Sequence, residues 1–350
     1  MNKKLKNIGQ SLLWIGVAAA LLFFLFRKGN LKWDEFLAAL RECRWGFVLL
    51  SMVMGGFVYF LRGLRWRMLL LPVDPSTSWI TTWNAYNICV ASNVVLPRVG
   101  EVIRCGFITR HSARDEEGRR LASFDKVLGT VVLERLWDIV SILIVLVILL
   151  IVMWDKFGAF FSDNVLSGIS GKASLAWILV PVVLLAALFV WLCWRFRERG
   201  GIWGKVWGVI QGFIDGLTSC MHMRNGWLFI VYTVAIWGLY WLMSASVMWS
   251  LQGVDPASVG TDLAAELPKI DRLGMDDALF LMFAGALSAL IPVPGGFGAF
   301  HGAICLAFST IYGIPIHVGM IFAILSHESQ VLVNILCGTG SYLHETLFRR

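Results

Sequence analysis

Long apolar stretches dominate the chain and predict membrane-spanning helices. A helix that crosses a bilayer needs about 20 largely apolar residues. Six stretches meet this requirement, at about 8–26, 46–63, 125–154, 173–194, 227–251 and 317–343. We therefore expect an all-α polytopic membrane protein with about six spanning helices.

Two further apolar stretches are interrupted by residues that break helices. The stretch 79–104 contains Pro97 and three asparagines, and the stretch 277–312 contains Ile-Pro-Val-Pro-Gly-Gly-Phe-Gly at 291–298. Proline removes a backbone donor and disfavours helical geometry in the residue before it. Irregular backbone at membrane depth is tolerated only where it is buried in protein or lines water. We predict two re-entrant helical hairpins, each made of two short helices that meet at a non-helical elbow.

Two shorter stretches are amphipathic. In 31–44 and again in 202–217, apolar residues recur at helical spacing on one face. Helices of this kind lie in the membrane interface. We expect both to be interfacial helices, and the whole chain, 1–350, to form a single integral membrane domain.

The composition agrees with a membrane protein and excludes several other classes. Hydrophobic residues make up 58% of the chain, more than a soluble domain of this size buries. The seven cysteines are scattered and form no C-x-x-C pair, so we predict neither a disulfide framework nor a zinc site. No P-loop glycine motif is present. We predict no metal, no cofactor and no nucleic-acid partner.

The basic residues set the orientation of the chain, whose net charge is +7. They lie on one side if each broken stretch enters and leaves by the same face, with Arg62 and Arg65 following the second span. The segment 252–277, on the other side, is rich in acids. Cytoplasmic loops concentrate lysine and arginine, so we expect a multi-pass protein of the cytoplasmic (inner) membrane with both termini cytoplasmic. The two hairpins then enter from opposite faces, as in an inverted-repeat transporter.

Charged residues in the first broken stretch indicate an anion site. A helix that restarts at Arg98 would direct its N–H groups and positive dipole end at the elbow, and Gly100 would allow close backbone approach. Arg98 and Arg104 have the charge and fork geometry that suit phosphate. Glu101 lies at helical spacing from both arginines, so an internal salt bridge is the alternative. Asn93 would either cap the restarted helix, the simpler role, or bind substrate.

The predicted span 125–154 carries Glu134, Arg135 and Asp138. An ionisable group at the bilayer centre costs on the order of 2.5–3.5 kcal/mol. Helical spacing allows Arg135 to pair with either acid. The alternatives are an ion pair that only fixes helix packing, and a charged lining that holds a headgroup or relays a proton.

The second elbow and the last span supply further candidates. Three glycines follow the prolines of this elbow, Gly295, Gly296 and Gly298. They either leave backbone N–H groups open to an anion, as in a nest, or only form a tight turn. His301 is a candidate because histidine is the residue type that changes charge closest to neutral pH, although a lone histidine is more often a packing residue. His327 and Glu328 are adjacent and so face different directions, and Glu328 is the better candidate because it is the costlier to bury.

Three motifs follow one another along the chain. They are Pro-Arg-x-Gly-Glu-x-x-Arg at 97–104, Glu-Arg-x-x-Asp at 134–138 and Ile-Pro-x-Pro-Gly-Gly-x-Gly at 291–298. In this order they resemble the membrane region of the lysylphosphatidylglycerol synthase/flippase family, also called flippase-like or uncharacterised protein family 0104. The resemblance covers about residues 5–345.

The resemblance implies a shared polar core and an outer re-entrant loop built from the three glycines. The polar core would consist of Arg98, Gly100, Glu101, Arg104, Glu134, Arg135 and Asp138. His301 departs from the family, which often has an acid just after the glycines. Bifunctional members carry a separate soluble aminoacyl-transferase domain, which we do not expect here, so the resemblance concerns only the part that moves lipid.

From these observations we predict a lipid translocase (flippase), not an enzyme, that moves a phospholipid or polyprenyl-phosphate headgroup between leaflets. Arg98 and Arg104 would hold the phosphate, while Glu134, Asp138 and Glu328 would meet an amine or counter-ion. The partners are a lipid with a phosphate-containing headgroup and the membrane, and a homo-oligomer is compatible with the sequence. Two alternatives stay open, a membrane enzyme that modifies a lipid or lipid-linked sugar through paired acids, and a scaffold of a lipid-synthesis complex.

Overall fold

The computed structural model describes residues 33–154 and 225–348, with isolated positions at 16, 20, 156, 191, 192, 195 and 207. Within this part the fold is helical, with two short 3-10 turns, and the β contacts amount to one isolated bridge between Arg114 and Arg120. The helices are α1 (Trp33–Glu42), α2 (Trp45–Leu70), α3 (Trp79–Val95), α4 (Val99–His111), α5 (Phe124–Val152), α6 (Gly226–Leu251), α7 (Thr261–Ile270), α8 (Met275–Ser288), α9 (Ala299–Ile311) and α10 (Ile316–Phe348). The spans expected at 8–26 and 173–194, the interfacial helix expected at 202–217 and both termini lie outside the described residues.

Four of the described helices, α2, α5, α6 and α10, are long and apolar enough to cross a membrane. They coincide with four of the six predicted spans. Helix α2 is longer than predicted, because it continues through Arg62 and Arg65 to Leu70. Arg62 and Arg65, predicted to follow the second span, lie within the helix and are buried with polar partners.

Contacts divide the chain into two units, one of residues 1–134 with 229–350 and one of residues 135–228. In the first unit, α10 packs against α2, α3 and α9, and α3 packs against α2 and α4. The approach of α10 to α3 is close at Gly338, where a Cβ atom would lie 2.2 Å from the Cβ of Ala91. In the second unit, the described residues continue α5 to Val152.

Both broken stretches form a helix, an elbow and a second helix, as predicted. The first elbow, residues 96–98, joins α3 to α4, with Leu96 extended before Pro97 and Arg98 in the left-handed region at φ 63°. The second elbow, residues 289–298, joins α8 to α9 and contains the 3-10 turn Pro294–Gly296. This turn packs against α3, and a Cβ on Gly295 would lie 3.4 Å from the Cα of Val94.

In each broken stretch, the beginning of the first helix lies close to the end of the second helix. Before α3, the carboxylate of Asp74 accepts hydrogen bonds from the Ser112 hydroxyl and the Ala113 N–H, which follow α4, at 2.7 and 3.0 Å. The end of α10 lies in the same region, where His111 is 3.3 Å from Glu345. For the other pair, Lys269, just before α8, donates to the carbonyl of Gly313, just after α9.

The amphipathic stretch 31–44 contains helix α1, as predicted. Its apolar side chains, including Phe36 and Ala39, pack into a core with Leu263 and Leu267 of α7. The apolar face of α1 is therefore covered by protein at Phe36 and Ala39, while Trp33 and Leu37 are exposed. Its location in the membrane interface stays a prediction.

Candidate functional site

Three arginines converge on the carboxylate of Glu134. Arg104 Nη1 lies 2.7 Å from Oε2, while Arg62 Nη1 and Arg65 Nη2 lie 3.5 and 3.6 Å from Oε1. None of the four side chains is more than 7% exposed. A buried charge is tolerated when it is paired and hydrogen-bonded. We call these four residues the arginine cluster.

Helix geometry explains why the cluster forms. Arg62 and Arg65 are three residues apart, so they project from one face of α2. Arg104 comes from α4 and Glu134 from the middle of α5. The cluster therefore ties a broken segment to two helices of spanning length.

Aromatic and hydroxyl groups complete the lining. The guanidinium of Arg104 stacks over Trp66 at 4.7 Å from the ring centroid. The Nε of Arg62 donates to the hydroxyl of Tyr240 at 3.0 Å, and Arg65 donates to Thr233 at 3.4 Å. Guanidinium groups held over aromatic faces gain a cation–π attraction that grows when water is excluded. The arginine side chains are thus held in fixed orientations.

The pairing of the acids on α5 differs from the sequence-based expectation. Glu134 binds arginines from α2 and α4, whereas the sequence suggested Arg135 of the same helix as a partner. Arg135 is half-exposed and lies 3.7 Å from Asp138. Adjacent positions on a helix differ by about 100° in direction.

The first elbow is closed by Asn93. Its side-chain oxygen accepts a 2.8 Å hydrogen bond from the N–H of Gly100, and its amide nitrogen donates to Glu101 at 3.2 Å. Asn93 therefore caps α4, the simpler of its two expected roles. Gly100 makes the close approach that was predicted for it, since an added Cβ would lie 2.1 Å from the carbonyl oxygen of Cys89.

Arg98 and Arg104 lie in different surroundings. Arg98 is exposed at the elbow, whereas Arg104 is fully buried. Six residues of helix place them about 9 Å apart along the axis. Arg104 is paired with Glu134, and the joint phosphate binding expected of the two arginines stays a prediction.

Comparison with known proteins places the chain in a family. The model of the family described as "Lysylphosphatidylglycerol synthase TM region" matches residues 11–338. The chain belongs to this family. The match confirms the resemblance carried by the three motifs, and it fits a multi-pass membrane protein with a lipid-related role. No curated protein and no solved structure matches the chain.

In this member of the lysylphosphatidylglycerol synthase TM-region family, the glycines of the second elbow all have positive φ. The values are 57° for Gly295, 81° for Gly296 and 79° for Gly298, a region that favours glycine. The N–H of Gly296 donates to the carbonyl of Val293. This bond belongs to a tight turn, and the anion nest stays a prediction.

Histidines from two helices meet a glutamate next to this elbow. His301 Nε2 and His327 Nδ1 lie 3.1 and 3.3 Å from the same oxygen of Glu328. The expectation that the adjacent His327 and Glu328 face different directions is wrong, because the flexible glutamate side chain bends back toward the imidazole. His301 is buried, but it does not stand alone.

A polar cavity of about 240 Å³ lies near the start of α3 and the end of α4. Its lining residues are Ser76, Thr77, Ser78, Thr81, Ile108, His111 and Ser112. Ile108 follows Arg104 by four residues, so the two side chains lie on the same face of α4. The cavity therefore ends about one helical turn from the arginine cluster.

Proposed function

We propose that this chain is a lipid translocase of the cytoplasmic membrane that moves a phosphate-containing headgroup between leaflets. The observation that carries the proposal is the convergence of Arg62, Arg65 and Arg104 on Glu134. Arg62, Arg65 and Glu134 lie on two helices long enough to span the bilayer, and Arg104 lies on the shorter helix α4. Intramembrane ionisable residues are by default candidates for a transport pathway. A lipid-related family supports the same assignment.

The chemistry of the cluster suits a phosphate. Guanidinium forks bind carboxylate and phosphate oxygens in the same planar, bidentate manner. A headgroup phosphate would take over part of the coordination that Glu134 supplies in this conformation. When the lipid leaves, Glu134 would restore the ion pairs, so the arginines stay satisfied between transport events.

The hydroxyl-lined cavity supplies an approach to the cluster. Its serine and threonine hydroxyls can replace water around a polar headgroup. Ile108, which lines the cavity, lies on the same face of α4 as Arg104, one turn away. We infer that a headgroup enters here, while its acyl or polyprenyl tails remain in lipid.

The two broken segments supply the moving parts of the proposed mechanism. The contact of Asp74 with Ser112 and that of Lys269 with Gly313 support two re-entrant hairpins, each with both ends on one face. We propose that they enter from opposite faces, which is the arrangement of inverted-repeat transporters. The second elbow, at Gly295, packs against Val94 near the end of α3, so a movement of the second elbow would be transmitted to the helix that leads into the first.

The remaining candidates have subsidiary roles in this proposal. Arg98, exposed at the first elbow, would meet the phosphate in a second conformation. Asp138 and Glu328 would meet an amine or counter-ion of the substrate. These assignments rest on position and charge.

Reconstitution tests the proposal. Proteoliposomes would carry labelled phospholipids with several headgroups, or a labelled glycosyl diacylglycerol that lacks phosphate. We expect at least one phosphate lipid to change leaflet faster than in protein-free vesicles, and the glycolipid to show no acceleration. If no headgroup is accelerated, the translocase proposal fails. Mass spectrometry of the recovered lipid separates the enzyme alternative, because translocation leaves the lipid mass unchanged.

A further inference from the structure

Three side chains with metal-binding donors meet beside the second elbow. The donor atoms of His301, His327 and Glu328 all lie within 4.8 Å of one another. The two imidazoles are 1% and 10% exposed, whereas the Glu328 side chain is 39% exposed. An ion therefore has an approach through the carboxylate to nitrogens that are otherwise shielded from water.

The second nitrogen of His327 is anchored to the backbone. Nε2 lies 2.8 Å from the carbonyl oxygen of Gly295, and because a carbonyl can only accept, Nε2–H donates to it. Nδ1, on the other side of the ring, lies 3.3 Å from the carboxylate oxygen of Glu328. A histidine with one N–H on a backbone carbonyl and its other nitrogen at a shared centre has the arrangement found in metal ligands.

The spacing of the donors also fits a metal ion. Tetrahedral Zn²⁺ holds nitrogen and oxygen ligands at about 2.0–2.2 Å, which places neighbouring ligand atoms about 3.3–3.5 Å apart. The distances of 3.1 and 3.3 Å from Glu328 Oε1 are close to this separation. The rings of Phe297 and Phe300 pack on His327, with centroids at 5.0 and 5.2 Å, so its imidazole is held in place.

We propose that His301, His327 and Glu328 bind one divalent transition-metal ion. Two imidazoles and one carboxylate are donors that suit Zn²⁺, and three protein ligands leave a position for water or another oxygen ligand. The ion joins α9 to α10 and, through the carbonyl of Gly295, to the second elbow. This site is separate from the arginine cluster. It shares Glu328 with the proposed transport mechanism, but its test measures metal binding and requires no transport.

Zinc binding to the purified full chain in detergent tests this proposal. After treatment with a chelator, Zn²⁺ is added, unbound metal is removed and zinc is counted by mass spectrometry. We expect about one zinc per chain and a higher thermal unfolding temperature. His301→Gln and Glu328→Gln each weaken the affinity about 100-fold or more. His317→Gln, which alters a histidine of α10 outside the cluster, retains wild-type affinity.

A Co²⁺ spectrum of the wild-type chain supplies a second measurement that needs no variant. Nitrogen and oxygen ligands give visible absorption bands without the ultraviolet thiolate band of cysteine ligands. Gel filtration checks that each variant is folded. If a variant does not fold, the Co²⁺ spectrum of the wild-type chain still tests the site. Three results would overturn the site: a wild type that retains no zinc, unchanged affinity in folded Glu328→Gln, or a thiolate band.

Discussion

Arg104 and Glu134, 30 residues apart in the sequence, form a buried 2.7 Å ion pair between α4 and α5. The pair links the helix after the first elbow to a helix of spanning length. Arg62 and Arg65 join it from α2. Stability and the proposed transport activity therefore depend on the same four side chains. Each variant of the cluster needs an unfolding measurement as well as a transport measurement.

Glu134→Gln should destabilise the chain strongly. The substitution removes the carboxylate that Arg62, Arg65 and Arg104 share, and removing one partner of a buried ion pair costs about 3–5 kcal/mol. Thermal and denaturant unfolding in detergent measure the change. Glu117→Gln is the control, because Glu117 is exposed and pairs on the surface with Arg119, where a change stays within about 1 kcal/mol. Equal effects of the two substitutions would contradict the role given to Glu134.

Gly100→Ala should also destabilise the chain, through the first elbow. The added Cβ would lie 2.1 Å from the carbonyl oxygen of Cys89, and overpacking of this kind costs about 1–3 kcal/mol. Gly106→Ala is a matched control on the same helix, since its Cβ meets nothing within 4 Å. The control should be neutral or stabilising by up to about 1 kcal/mol. Unfolding temperatures that fall by the same amount in both variants would argue against this packing.

The hydrogen bonds to the Asp74 carboxylate predict a loss of stability at low pH. This residue lies in the segment between α2 and α3. Burial alone would raise the pKa of its carboxyl, but hydrogen bonds from Ser76, Ser112 and Ala113 outweigh burial and hold the pKa below its usual range. Because the pKa in the folded state is below the unfolded value of about 3.9, the stabilisation is complete above that value. It is lost as the pH falls through the folded-state pKa.

Asp74→Asn tests this pH dependence. The variant should be less stable than the wild type near neutral pH, and the difference should shrink as the pH falls toward 3. Unfolding temperatures of both proteins across this range give the comparison. A difference that does not vary with pH would show that the ionised carboxylate of Asp74 contributes nothing.

Much of the fold follows from local sequence signals. The apolar stretches at 46–63, 125–154, 227–251 and 317–343 each contain most of a spanning-length helix. Pro97 and the cluster of prolines and glycines at 291–298 mark both elbows, because their effect on the backbone is local. These signals act within a few residues, so they are visible without knowledge of the tertiary structure.

The site was predicted less completely, because its contacts join residues far apart in the sequence. The cost of burying a charge in a membrane identifies Arg104 and Glu134 as candidates, but the sequence analysis placed Arg62 and Arg65 after the second span and gave them no role in the site. The signal that would have identified them is their spacing of three residues directly after an apolar stretch, which places both on one helix face. Likewise, His301 lies 26 residues before His327, and only the tertiary structure brings them together.

Leaflet exchange by Arg104→Gln proteoliposomes tests the central claim most directly. The matched control is Arg119→Gln, which alters an exposed arginine outside the cluster. Both proteins are reconstituted at equal amounts after their folding has been verified, and Arg104→Lys tests whether the fork geometry is needed in addition to charge. We predict that Arg104→Gln lowers the protein-dependent rate at least about tenfold, which corresponds to about 1.4 kcal/mol, while Arg119→Gln retains the wild-type rate. A folded Arg104→Gln protein with the wild-type rate would contradict phosphate transport through the arginine cluster.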